Sequence, residues 1–216
     1  MKRMILLLMI SLFFLPVIKS GICLICWSIC LFNRLSCVGC MNRFCPVSAC
    51  FSSDTIFYKL EDGQVKKVLV HELKKNDLVI SNNENKITKV VRNVKDKGIF
   101  NYIQIILESG EELKVTDEHG VIVIEDESNR RVLKANNLRE GQKLITFEGP
   151  KAIKTINNLN LKDKYILETL DGTVIANGIY ISTICENMIN EKIDADDLIK
   201  DWKNKHERLF NGLINN

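Results

Sequence analysis

Cysteine is missing from residues 51–184, acidic residues are missing from residues 1–49, and proline occurs only three times in 216 residues. Each absence excludes something. Three prolines beside eleven glycines rule out a collagen-like or Pro-rich low-complexity chain. Apolar residues at 46% and charged residues at 26% argue against global disorder. A net charge of +3 is a weak footprint for a nucleic-acid binder. No long helical period occurs before residue 186.

What is present divides the chain. Residues 1–49 carry five basic residues and no acidic one, whereas the other 167 carry 25 basic and 27 acidic. Seven of the eight cysteines lie in residues 23–50, and the eighth is Cys185. This clustering suggests a short disulfide-bearing segment beside a domain nearly free of cysteine.

Residues 1–20 read as a secretory signal. Met1-Lys2-Arg3-Met4 is basic, the run from Ile5 to Ile18 is apolar, and Ser20-Gly21 supplies small residues after it. The apolar run from Ile22 to Phe32 leaves a second reading open, an uncut membrane anchor. Either places the chain in the secretory system, secreted or membrane-anchored. Residues 21–49 form a Cys-rich segment too short for its own core. Cys23, Cys26, Cys30, Cys37, Cys40 and Cys45 suit disulfides; the two Cys-x-x-Cys pairs also fit zinc, although their separation is shorter than usual zinc spacings. Asp194, Asp196 and Asp197 lack the spacing and central glycine of a calcium loop, so no metal is assigned there.

From residue 50 to 185 the sequence predicts an all-β domain of many short strands. Thr55–Leu60, Val65–Val70, Leu78–Ile80, Ile87–Arg92, Tyr102–Leu107, Leu113–Thr116, Val121–Ile124, Lys143–Phe147, Tyr165–Thr169 and Thr173–Ala176 are rich in β-branched residues. Turn pairs separate them: Asp62-Gly63, Ser109-Gly110, Glu140-Gly141, Asp171-Gly172 and Asn177-Gly178. Residues 186–216 predict a C-terminal amphipathic helix. Asp194 caps a helix beginning near Ala195, with Leu198, Trp202, Leu209 and Leu213 near one face.

Three features of the β region belong together. Cys50 directly precedes the first strand pattern. Thr116-Asp-Glu-His119 leaves the strand that begins at Leu113. Asp171-Gly-Thr-Val-Ile-Ala-Asn177-Gly178-Ile-Tyr-Ile-Ser182-Thr183 closes the region. With these residues the sequence resembles the Hint family, shared by Hedgehog autoprocessing domains and inteins, and the ending is most similar to the Hedgehog type. Leu73-Lys-Lys-Asn76-Asp77-Leu-Val79 resembles the family's Leu…Gly-Asp-x-Val segment, with Asn76 where Gly is usual. Leu138-Arg-Glu-Gly141-Gln-Lys-Leu144 resembles its second Leu…Gly segment.

The resemblance implies a Hint-type fold and a self-cleaving function, single-turnover autoprocessing with peptidase-like chemistry. Cys50 would attack the carbonyl carbon of Ala49, turning the Ala49–Cys50 amide into a thioester. His119 would protonate the departing amine. Thr116 would hydrogen-bond near the scissile amide and help twist it. Water or another nucleophile would resolve the thioester.

The departures are specific. An intein-type His-Asn pair is missing from Ile179-Tyr-Ile-Ser-Thr-Ile-Cys185, so ligation of the flanks is not expected. Asn93 falls where Hedgehog domains place the Asp that activates cholesterol, and Asp96 lies three residues on. Cys185 is displaced from the Ser-Cys of Hedgehog endings and can also be paired with Cys50 as a reversible disulfide. Asn93, Asp96 and Cys185 are therefore auxiliary candidates. No metal or organic cofactor is expected. The expected partners are the chain's own N-terminal segment as substrate, water or a small nucleophile, a membrane if the N-terminus is retained, and no nucleic acid. An inactive secreted interaction module with a Hint-like β scaffold is the alternative.

Overall fold

A computed structural model describes residues 50–82, 84–126, 129–184 and 194–214, with helical side chains described through residue 204. The signal, the Cys-rich segment, Ala49 and Cys185 lie outside the described residues.

The described strands are β1 (Cys50–Phe51), β2 (Ile56–Glu61), β3 (Gln64–Leu69), β4 (Leu78–Ile80), β5 (Ile87–Leu107), β6 (Glu112–Thr116), β7 (Gly120–Ile124), β8 (Arg130–Lys134), β9 (Lys143–Thr146), β10 (Gly149–Thr169), β11 (Thr173–Ala176) and β12 (Ile179–Ser182). One helix, α1 (Ala195–Ile214), follows. The strands join in the order β10-β1-β6-β5-β4-β2-β11-β12-β9-β7-β8, with β3 on β2 and β10 also pairing β5 and β9. The all-β expectation is met. No described helix is long and apolar enough to cross a membrane.

Two corrections to the strand pattern have physical causes. Ile87–Arg92 and Tyr102–Leu107 are one strand, because antiparallel pairing with β10 continues through the polar stretch between them. β8 is absent from the expected set. Its Arg-Arg-Val-Leu-Lys sequence hides an edge strand paired with β7, of which only Val132 is fully buried.

The domain repeats one plan. A turn, a hairpin, a 3₁₀ turn, a short strand and a 21-residue strand occur twice, through β2–β5 and β7–β10. The bonds repeat as well. Thr55 N–H donates to Ser52 O and Val70 N–H to Thr55 O; His119 N–H donates to Thr116 O and Ala135 N–H to His119 O. Asp77 accepts from Lys74 N–H where Gln142 accepts from Arg139 N–H. Asn76 at φ +76° occupies the position of Gly141 at φ +85°. Asparagine is the non-glycine residue that best tolerates the left-handed region, which explains its presence in place of glycine.

A central core holds Phe51, Phe57, Ile105, Leu113, Leu167 and Ile181. A second cluster lies under α1, where Ala195, Leu198 and Trp202 cover Ile80, Ile122, Ile145, Ile175 and Ile184. Asp194 caps α1 as expected: its Oδ1 accepts from Asp196 N–H at 2.8 Å and Asp197 N–H at 3.2 Å.

Candidate active site

Strand β1 is two residues long yet lies inside the sheet, between β10 and β6. Cys50 pairs with Ile166, and Phe51 with both Tyr165 and Val115. Continuing the β1–β6 register by one residue sets Cys50 across from Thr116. Both are buried, and so is His119, with relative exposures of 0%, 5% and 0%.

The turn that carries His119 is fixed by main-chain bonds. His119 N–H donates to Thr116 O at 2.9 Å, Asp117 N–H to Asn101 O at 3.3 Å, and Asn136 N–H to Asp117 O at 2.8 Å. The Phe51 ring stands at 71° to the imidazole, with centroids 4.8 Å apart. Packing and backbone together hold the imidazole in place.

Its two nitrogens face two carbonyl oxygens. Nε2 lies 2.9 Å from Ser182 O, and Nδ1 lies 3.3 Å from Cys50 O. A neutral imidazole has one N–H and cannot donate to both. Burial pushes the His119 pKa down to about 4, against the opposite pull of the Ser182 and Cys50 carbonyls. The ring is therefore neutral at pH 7. The shorter contact assigns its proton to Nε2 and leaves the Nδ1 lone pair on the Cys50 side. The imidazole is thereby held against the main chain of Cys50.

Thr116 Oγ1 is buried and has no hydrogen-bond partner among the described residues. A hydroxyl in that state retains its capacity to donate and accept. Tyr102 adds a constraint that the sequence pattern does not single out. Its hydroxyl lies 3.2 Å from Phe51 O and 2.8 Å from Asp163 O, tying the residue after Cys50 to the bend in β10. Burial foremost raises the Tyr102 pKa, so the phenol stays protonated and able to donate.

The auxiliary candidates fall elsewhere. Asn93 Nδ2 donates to Val70 O at 2.6 Å and Leu73 O at 2.9 Å, clamping the first 3₁₀ turn. Its buried Oδ1 has no hydrogen-bond partner among the described residues. Asp96 lies in the β5–β10 ribbon, half-exposed, 3.6 Å from Lys164. Cys185 is outside the described residues. Among the described residues no cluster of His, Cys, Asp and Glu could hold a metal. A surface hollow of about 540 Å³ is lined by Arg131, Asn136, Arg139 and Gln142 near the second 3₁₀ turn; Cys50, Thr116 and His119 are not among its walls. The sequence could not announce the role of Ser182, because it acts through its carbonyl and not its side chain.

No protein-family model matches the chain, and no curated protein matches it by sequence. Solved structures do match. An intein from a hyperthermophile is 21% identical at a TM-score of 0.55, covering 62% of this chain and 99% of its own. The DnaB intein from Synechocystis sp. PCC 6803 is 19% identical at 0.52, covering 63% and 99%. The bacterial intein-like domain from Clostridium thermocellum is 18% identical at 0.51, covering 62% and 97%. The likeness lies in the fold: the β domain of this chain adopts the Hint-type architecture seen in inteins.

Proposed function

We propose that this is an autoprocessing domain that breaks the Ala49–Cys50 bond once per chain. The observation that carries the reading is the buried convergence of Cys50, Thr116 and a neutral His119 whose Nδ1 lies 3.3 Å from the Cys50 carbonyl oxygen. A thiol with no exposed surface is poorly placed for a substrate from outside, whereas its own upstream amide is adjacent by covalent bonding. The intein-like fold supports the same reading.

The steps balance without an added reagent except water. The Cys50 thiol loses its proton to His119 Nδ1, and the sulfur attacks the Ala49 carbonyl carbon. The carbon–nitrogen bond breaks as His119 returns that proton to the Cys50 amine. Thr116 Oγ1 donates to the developing charge at the scissile bond. Water then attacks the thioester carbonyl, the carbon–sulfur bond breaks, and the Cys50 thiol is restored. The fragments end at Ala49 and begin at Cys50.

The lack of a His-Asn pair in Ile179–Cys185 favours cleavage over splicing. We also propose entry into the secretory system through residues 1–20. Intact mass after incubation of the full chain with dithiothreitol tests the reaction. Cleavage before Cys50, lost in Cys50→Ala and His119→Gln, is the expected result. An uncut chain under these conditions would favour the inactive interaction module instead.

A further inference from the structure

Helix α1 covers the second hydrophobic cluster with Ala195, Leu198 and Trp202. Its docking is polar as well as apolar. The Trp202 indole N–H donates to Thr169 O at 3.1 Å. Thr169 N–H donates to Thr183 Oγ1 at 3.2 Å, and the two threonine hydroxyls are 2.9 Å apart. Because Thr169 Oγ1 donates to Thr173 O at 2.9 Å, its contact with Thr183 is accepted, with the Thr183 hydroxyl donating. Thr183 N–H reaches Gly172 O at 2.8 Å. Thr183 adjoins Ser182, whose carbonyl receives His119 Nε2–H. Thr169, Ser182 and Thr183 have no exposed surface, and Trp202 has 5%.

The helix is also seated on one turn. Lys203 Nζ lies 3.6 Å from Asp171, and a Cβ added to Gly172 would be 2.7 Å from Trp202 Cδ1. Gly172 has φ +74°. The turn thus combines a backbone conformation and a side-chain void suited to the indole.

We propose that Trp202 is a positioning residue. Its N–H, through Thr169 and Thr183, holds the Ser182 carbonyl where it selects the Nε2–H form of His119 and leaves Nδ1 toward Cys50. The effect on cleavage rests on the autoprocessing reading; the effect on the imidazole does not. Trp202→Phe removes the N–H and keeps most of the packing.

The test uses the full chain, wild type and Trp202→Phe. It measures thiol-induced cleavage against pH by intact mass, and the His119 tautomer by imidazole ¹H–¹⁵N spectra assigned with His119→Gln. The variant should melt cooperatively and cleave roughly tenfold more slowly, about the effect of one lost hydrogen bond. Its pH midpoint should move upward as water enters, and its ring should populate both tautomers. A wild-type rate, midpoint and ring spectrum in a folded variant would overturn the proposal. Thr183→Val breaks the relay without altering the helix and carries the same test if Trp202→Phe does not fold. If the wild-type chain does not cleave, the autoprocessing reading fails, and the ring spectra alone decide whether Trp202 positions His119.

Discussion

Thr116 holds a buried hydroxyl that the described fold does not satisfy. Such a group costs about 1–3 kcal/mol relative to a satisfied one. Thr116→Val keeps the branched shape and removes the hydroxyl. It is expected to raise unfolding stability by about 1 kcal/mol while slowing cleavage. Denaturant melts and cleavage rates on the same samples check this; a less stable variant with normal cleavage would assign Thr116 to the scaffold. His119 gives a pH signature. Its folded pKa of about 4 lies below the ordinary value of 6.5, so the unfolded chain binds the extra proton between those values. Stability is fully present above about pH 6.5 and falls on acidification toward pH 4, by roughly 3 kcal/mol in all. The carboxylates of Asp54, Glu112 and Asp163 are held low, so their contributions are lost further down, as the pH falls below their unfolded values near 4. The window from 6.5 to 4.5 therefore belongs largely to His119. In a Cys50→Ala background, His119→Gln should flatten the decline in melting temperature across it; an unchanged decline would implicate another group.

The elements differ in how openly the sequence displays them. β4 and β11 match the expected ranges because turn residues punctuate both ends. Capping by Asp194 is local chemistry and is equally legible. The first part of β10 is hidden, since from Lys151 to Lys164 scattered Ile and Leu are interrupted by Lys, Asn and Asp, and the strand character comes from pairing with β5. Asn177 shows what a turn residue does beyond turning. At φ +49° it opens the β11–β12 turn, its Oδ1 accepts from Ile56 N–H at 2.7 Å, and its Nδ2 donates to Glu112 O at 2.6 Å. It thereby ties β2 and β6 to the closing hairpin. Asn177→Ala strands both main-chain groups and strains the backbone, with an expected loss of about 2–4 kcal/mol in chemical denaturation. Asn177→Asp retains the acceptor and should lose less; equal losses would show that the Oδ1 bond contributes little.

At the scale of the whole domain, sequence order conceals the reason that the site forms. Cys50 and His119 are 69 residues apart, and they meet because β1 is inserted between β6 and β10. The repeated plan places the Ser52–Thr55 turn and the Thr116–His119 turn in equivalent positions, each receiving an N–H from a following 3₁₀ turn. Motif order makes Cys50, Thr116 and His119 legible; pairing that joins distant strands supplies Ser182 and Tyr102, and the docking of α1 supplies Trp202. The two hydrophobic clusters then make different predictions for removal of α1. The central cluster draws on β1 through β12 and does not include α1, so a chain truncated after Ile193 should retain cooperative unfolding. The second cluster loses Ala195, Leu198 and Trp202 and exposes Ile80, Ile122, Ile145 and Ile175. Burying a large apolar side chain stabilises by about 1.5–3 kcal/mol, so losing Leu198 and Trp202 costs roughly 3–6 kcal/mol before the entropy regained by the helix. The truncated chain should melt at a lower temperature and bind a hydrophobic dye such as ANS, the full chain little. Equal melting temperatures and equal dye binding would mean that α1 leaves the sheet readily in solution, and the Trp202–Thr169 bond would then have little occupancy through which to act.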